Sequence, residues 1–288
     1  MITIQREKEL RATIRQQKSQ GKRIGFVPTM GNLHDGHIAL VNRALHLCDY
    51  VVTSVYVNPL QFGANEDLEK YPRTLVADKE KLVQAGNHAL FLPQTSQIYT
   101  GGLEEHTKVV VPNLTEDHCG ASRPGHFDGV TTVVSILFNM VQPDVAVFGQ
   151  KDFQQLAVIR KMVQDLHMPV TVEGHPTIRE DDGLAMSSRN GYLDANQRKT
   201  ATILYQTLQQ TTDKLKNSFS SKPVNDDFAL LETEARAKLT EAGFRPDYYN
   251  IVASDTLRPA TADDKEITVL AAAYLGNTRL IDNISITL

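Results

Sequence analysis

The stretch Arg23-Ile24-Gly25-Phe26-Val27-Pro28-Thr29-Met30-Gly31-Asn32-Leu33-His34-Asp35-Gly36-His37 decides how the chain is read. After Arg23 comes a short apolar run, the mark of a buried strand. From Ile38 to Cys48, the residues Val41, Ala44, Leu45 and Cys48 recur at helical spacing. Strand, glycine-bearing turn and helix together present backbone N–H groups and a positive helix end to a phosphate. His34 and His37 fall where the helix begins, so both imidazoles are placed to donate to phosphate oxygens. A nucleotide site is the first expectation.

Neighbouring readings are weaker. Gly31 and Gly36 are spaced like P-loop glycines, but His37-Ile38 stands where Lys-Ser/Thr would touch phosphate and Mg. The close-set glycines of a dinucleotide fingerprint are missing as well. His34-x-x-His37 could supply two zinc ligands, but it lacks the His-Glu-x-x-His order and needs a third ligand from elsewhere. Two solvated loop histidines are the plainest alternative.

Composition narrows the classes. A chain of 288 residues suggests one large domain and a smaller one. With 30 basic and 34 acidic residues, net −4, it offers no long-range attraction for nucleic acid. Cys48 and Cys119 are its only cysteines, which fits a reducing cytoplasm rather than a disulfide framework. Neither a signal-peptide core in Met1–Lys8 nor an apolar run of about 18 residues is present, so no membrane span is expected.

Further along the chain, a polar segment over 4–19 reads as a surface helix with Leu10 and Ile14 on one face. Tyr50 to Val57 is the strongest strand signal, and it ends at Asn58-Pro59-Leu60-Gln61-Phe62. Ligands of open parallel sheets bind beyond the carboxyl ends of strands, which puts Asn58 and Gln61 at the site; turn chemistry before Pro59 is the competing role for Asn58. Residues 66–86 read as charged and mainly helical, 88–92 and 108–111 as strands, and 112–128 as a long turn-rich loop carrying Arg123 and His126. A nearly all-apolar helix over 131–141 leads to a strand over 144–148. That strand ends in Gly149-Gln150-Lys151-Asp152, a second strand–turn–helix unit in which Lys151 offers phosphate a point charge and Asp152 caps the helix. Val170-Thr171-Val172 is the last strand of the alternation. Strands alternating with helices predict a doubly wound, Rossmann-like parallel sheet over 1–176.

The pattern changes near Pro176. Met186-Ser187-Ser188-Arg189-Asn190 groups two hydroxyls and a guanidinium suited to phosphate oxygens. Helices over about 194–217 and 226–242 follow, separated by a polar linker from Ser218 to Asn225. A strand over 248–253 and two strands around Gly276-Asn277 complete a smaller α+β domain over 177–288, expected to act as a lid.

Six stretches, in order, resemble the pantoate–β-alanine ligase family: Pro-Thr-Met-Gly-x-Leu-His-x-Gly-His at 28–37, Asn-Pro-x-Gln-Phe at 58–62, Tyr-Pro-Arg-Thr at 71–74, Arg-Pro-Gly-His-Phe-x-Gly-Val at 123–130, Phe-Gly-x-Lys-Asp-x-Gln-Gln at 148–155, and the run Ile178 to Asn190. The resemblance covers most of 24–193 and implies a nucleotidyltransferase in which His34-Asp35-Gly36-His37 looks like a HIGH-type motif and Met186-Ser187-Ser188-Arg189 a KMSKS-type motif. It implies ATP-dependent condensation of (R)-pantoate with β-alanine through a pantoyl adenylate, in pantothenate and coenzyme A biosynthesis. By the same resemblance His37, His34, Lys151 and Arg189 are catalytic, His37 as the acid toward the phosphoryl group. ATP falls to Met30, Gly31, His34, Gly36, His37, Gly149, Gln150, Lys151, Asp152, Ile178, Met186, Ser187, Ser188 and Arg189. Pantoate and β-alanine fall to Thr29, Asn58, Gln61 and Gln155. Mg is expected on the phosphates. Family members often carry adjacent acidic residues after Tyr-Pro-Arg-Thr, and here Asp78 is the one candidate ligand. The resemblance also implies a homodimer.

Read from the residues alone, rivals stay open: a nucleotidyltransferase acting on a phosphate ester, a zinc hydrolase built on His34 and His37, or a catalytically silent nucleotide-binding protein. Uncharged Gln61 and Gln155 favour a hydroxyl-bearing substrate over a phosphorylated one.

Overall fold

The computed structural model describes residues 1–63, 66–218 and 225–287, which form two compact units. The first comprises residues 1–150 and 155–176, the second 151–154 and 177–288. The polar linker expected from Ser218 to Asn225 lies almost wholly outside the described residues.

The first unit is α/β. Its strands are β1 (Ile2–Ile4), β2 (Ile24–Thr29), β3 (Tyr50–Val55), β4 (Ala89–Phe91), β5 (Val145–Gly149) and β6 (Thr171–His175), in the order β1-β4-β3-β2-β5-β6. Every pairing is parallel. Ile24, Phe26 and Val27 have no exposed surface, as a central strand covered on both faces requires. On one face α2 (Asp35–Leu47) buries Val41 and Ala44 against Val27, Val51 and Val145. Elsewhere in the unit, Phe138 of α6 (His126–Val141) meets Phe26 and Phe148 edge-on, both at 6.3 Å between ring centroids. The helix α1 (Glu7–Ser19) buries Leu10 and Ile14, the two residues its spacing singled out.

The chain leaves β2 toward β3 on one side and β5 toward β6 on the other, so the order reverses between β2 and β5. That reversal marks where an open α/β sheet takes its ligand. Pro28 helps open it. β5 pairs with β2 only at Gly25 and Phe26, so Pro28 sits where no N–H is needed on that side.

Three expectations are corrected. Residues 108–111 are not a strand: Val109 N–H donates to Thr132 Oγ1 (3.0 Å) and its carbonyl accepts from Thr131 Oγ1, so helix hydroxyls replace a ladder. The loop over 112–128 is shorter than expected, because α5 (Cys119–Ser122) interrupts it and α6 begins at His126 instead of 131. The charged stretch 66–86 is helical only as α3 (Leu75–Gln84). The short edge strand β1 has no expected counterpart. The remaining helices of this unit are α4 (Thr95–Ile98) and, from Gln155 onward, α7 (Phe153–Asp165).

The second unit is α+β. Its antiparallel sheet β7 (Arg245–Ala253), β8 (Glu266–Leu275), β9 (Thr278–Thr287) packs against α9 (Thr202–Ser218) and α10 (Asn225–Glu241). Asp194 caps the short α8 (Ala195–Thr200) through bonds from the N–H groups of Asn196 and Gln197. Tyr249, fully buried, donates its hydroxyl to Thr211 Oγ1 (2.7 Å) at the centre of this core.

Candidate active site

In the first unit the site is built from the turn between β2 and α2. Gly31 has φ +82°, and a Cβ there would lie 3.0 Å from Val55 Cγ1 and 3.1 Å from Asp78 Oδ2. Glycine is therefore required twice over, by backbone angle and by space. The N–H groups of Asn32 and Leu33 donate to the Asp78 carboxylate at 3.0 and 2.8 Å, and Thr74 Oγ1 adds a third bond at 3.1 Å. Asp78 is 1% exposed, so this carboxylate is a buried anchor that fixes the turn from α3. Thr29 Oγ1 donates to Ser54 O (2.8 Å) and accepts from Gly31 N–H (3.2 Å), tying the end of β2 to β3.

The turn delivers two imidazoles to the start of α2. The ring centroids of His34 and His37 are 4.1 Å apart. His34 N–H donates to His37 Nδ1 at 3.3 Å. An accepting Nδ1 carries no proton, so the neutral ring holds its proton on Nε2 and is oriented as a donor through that atom. Both rings are half-buried.

Beside this turn, Asn58 caps and Gln61 ends the 3₁₀ turn Pro59–Gln61 that follows β3. Gln61 Nε2 lies 3.1 Å from Met30 Sδ, so the two strand ends do converge. Asn58 is buried with its amide committed to the fold: Nδ2 donates to Gly129 O (3.1 Å) and Gln61 Oε1 (3.3 Å), while Oδ1 accepts from Tyr99 Oη (2.8 Å) and Leu60 N–H. The turn chemistry weighed for Asn58 is present. Burial pushes the Tyr99 phenol above its ordinary range, keeping it a donor at any physiological pH.

The Gln61 backbone is clamped too. Its carbonyl accepts from His126 Nδ1 (2.7 Å) and Arg123 Nη2 (3.3 Å). Arg123 Nη1 also lies 2.9 Å from His126 Nε2, so His126 is the neutral Nδ1–H tautomer, donating to Gln61 and accepting from arginine. Glu66 binds the same guanidinium in bidentate fashion at 2.5 and 2.6 Å. Burial raises the Glu66 carboxyl, but the Arg123 bonds outweigh it and hold the group below its usual range. Arg123 and His126, on the turn-rich stretch of the sequence, thus hold the Gln61 backbone.

Gln155 is half-buried in the first turn of α7, and Gly149 ends β5 with Gln150 next to it. In the second unit, Lys151 Nζ is 3.9 Å from Asp152 Oδ2, and Lys151 is largely shielded from solvent. Ile178 O accepts from Met186 N–H (3.0 Å) and Arg179 bridges to Ala185, making a small hairpin. A 3₁₀ turn from Ser188 to Tyr192 follows, capped where Ser187 Oγ accepts from Arg189 N–H (3.2 Å). So Ile178, Met186, Ser187, Ser188 and Arg189 share one compact structure.

Among the described residues no group of three or more His, Cys, Asp or Glu side chains is arranged to hold a metal. Among them also, no helix is long and apolar enough to cross a membrane.

The family profile described as pantoate-beta-alanine ligase matches residues 2–285. A pantothenate synthetase of Hahella chejuensis is 68% identical over 288 residues, covering all of both chains, and one of Marinobacter nauticus is 61% identical over 287. The crystal structure of a pantothenate synthetase from Thermus thermophilus superposes with a TM-score of 0.88 at 43% identity, over 99% of each chain. A pantoate-beta-alanine ligase from Francisella tularensis, complexed with beta-gamma ATP and beta-alanine, gives 0.79 at 30% identity, over 99% of this chain and 97% of that one. With residues 2–285 matched by the family profile and relatives 61% and 68% identical along its length, the chain belongs to the pantoate–β-alanine ligase family.

Proposed function

We propose that the chain condenses (R)-pantoate with β-alanine to pantothenate, with ATP converted to AMP and pyrophosphate through a pantoyl adenylate. A pantoate carboxylate oxygen attacks the α-phosphorus, and the bond to the bridging oxygen breaks so that pyrophosphate leaves. The β-alanine amine then attacks the acyl carbon and loses a proton, and AMP departs with the former carboxylate oxygen. No enzyme nucleophile is needed. The protein must hold a carboxylate in line with phosphorus and offset charge that grows on the phosphoryl oxygens.

The observation that carries this reading is the backbone-locked imidazole of His37. With Nδ1 accepting from His34 N–H, Nε2–H is the fixed donor toward a phosphoryl oxygen at a helix start. His34, Lys151 and Arg189 add donors, and Ser187 and Ser188 bind the triphosphate with Gly31, Gly36, Gln150 and Asp152. Adenosine rests on backbone at Met30, Gly149 and Ile178. Gln61 and Gln155 take the pantoate hydroxyls and carboxylate, with Thr29 and Asn58 shaping that side. Mg would enter with ATP as part of the substrate and would offset charge on its phosphates. Since the Asp78 carboxylate already accepts two backbone N–H groups, its role is to hold the phosphate-binding turn. We also propose a homodimer: light scattering is expected to give twice the 32.0 kDa of one chain, and a mass of one chain would refute it.

Pyrophosphate release tests the reaction. Enzyme mixed with MgATP and D-pantoate, without β-alanine, should release about one equivalent per site in a burst. His37→Ala should slow that burst by about 100- to 1,000-fold, the range for losing one charge-stabilising donor. Pyrophosphate release that ignores pantoate would end the proposal.

A further inference from the structure

Lys151 is distant in sequence from the C-terminal strand, yet its carbonyl accepts from Asn283 Nδ2 at 2.9 Å. Asn283 is itself fixed. Its N–H donates to Asp282 Oδ1 at 2.8 Å, and its place on β9 is set by pairing opposite Leu270 of β8. Asp282 in turn receives the Arg179 guanidinium on both oxygens, at 2.6 and 3.0 Å. Arg179 also reaches Gly183 O (3.1 Å) and stacks 3.7 Å over the Tyr205 ring. Asp282 is 4% and Asn283 7% exposed, so both belong to the interior of the second unit. Two adjacent residues of one strand thus fasten Lys151 and the hairpin that carries Ile178 and leads into Met186–Arg189.

We infer that Asn283 is a positioning residue for Lys151 in adenylation, with Asp282 and Arg179 keeping Asn283 and the 178–189 segment in common register. The inference rests on the phosphate-facing role of Lys151 proposed above. A lysine carries its ammonium on a flexible four-carbon stem, so its aim depends on how firmly its own backbone is held. A bond from a strand residue to the lysine carbonyl fixes that peptide to a rigid element. A buried asparagine serving only stability would not act through Lys151 in particular.

The test is a double-mutant cycle on pantoate-dependent pyrophosphate release in a single turnover, using full-length protein. Asn283→Ala removes the donor. Asn283→Asp keeps the shape but sets an acceptor against the Lys151 carbonyl, and it replaces the alanine variant if that one fails to fold by circular dichroism. Either should slow release by about 10- to 100-fold, the cost of a misplaced catalytic group. In a Lys151→Ala background the same change should have no further effect. An Asn283 variant within twofold of wild type overturns the inference, and so does an equal slowing in both backgrounds. If Lys151→Ala alone leaves release unchanged, the role of Lys151 falls first, and that outcome is separately visible.

Discussion

Replacing Gly129 with alanine tests how tightly the side of the site proposed for pantoate is built. Gly129 lies in the first turns of α6, where a Cβ would come 2.4 Å from Leu60 O, 2.5 Å from Leu60 C and 2.8 Å from Gln61 N. These are backbone atoms, so no side chain can swing away. Reaching even a 3.0 Å contact requires the helix and the 59–61 turn to part by about 0.6 Å. Forcing a methyl into such a contact costs about 1–3 kcal/mol. Alanine returns up to about 1 kcal/mol through its better helix propensity. The net loss of stability is therefore roughly 0–3 kcal/mol, and activity is the sharper readout. The displaced residues include Gln61, whose carbonyl is held by His126 and whose amide would meet pantoate. A shift of this size should raise the KM for pantoate and cut kcat/KM by about 10- to 100-fold, with the KM for ATP little changed. Urea unfolding and initial-rate kinetics on the same preparation separate the two effects. A variant about 1 kcal/mol more stable than wild type, with an unchanged KM for pantoate, would show that no close contact exists and refute the reasoning.

Other perturbations carry equally definite outcomes. Asp78→Asn turns one acceptor of the buried anchor into a donor facing an N–H, so it should cost about 1–3 kcal/mol and slow adenylation. Its Mg concentration for half-maximal activity should stay put; a tenfold rise without loss of stability would make Asp78 a metal ligand instead. Glu66→Gln weakens the Arg123 clamp and should cost about 1–3 kcal/mol at pH 7. Because the folded-state pKa of Glu66 is lowered, this stabilisation is complete above the unfolded carboxyl value of about 4.3 and is lost as pH falls through the folded value. Urea curves should show the gap between wild type and variant closing below about pH 4, and a gap that widens there contradicts the assignment. Tyr249→Phe strips a buried hydroxyl from the core of the second unit and should cost about 1–2 kcal/mol. Single-turnover pyrophosphate release should remain within twofold of wild type, and a larger loss would mean that this core tunes the chemistry.

The parts that were legible in the sequence are those written over a few consecutive residues. The β2 turn and the start of α2 could be read because apolar run, glycine and helical spacing follow one another directly, and strands β2 to β6 followed from repeating that unit. Residues 108–111 misled because an apolar, β-branched run reads as a strand whatever its backbone partners, and here those partners are the hydroxyls of Thr131 and Thr132. β1 escaped notice because three residues carry no period. Supports of the site were hidden for a related reason. Asp78 holds Asn32 across 46 positions, His126 holds Gln61 across 65 and Asn283 holds Lys151 across 132, and nothing local to either partner announces such a bond. The residues proposed to face the substrate could be named from motifs; the bonds that hold their backbone required three dimensions.

The adenylate is tested most directly by the fate of one oxygen. Pantoate labelled with ¹⁸O in its carboxylate should be turned over with unlabelled ATP and β-alanine, and the AMP analysed by mass spectrometry. Attack of the carboxylate on the α-phosphorus predicts that each AMP carries one ¹⁸O from pantoate while pyrophosphate carries none. Unlabelled AMP, or label in pyrophosphate, would contradict a pantoyl adenylate at this site.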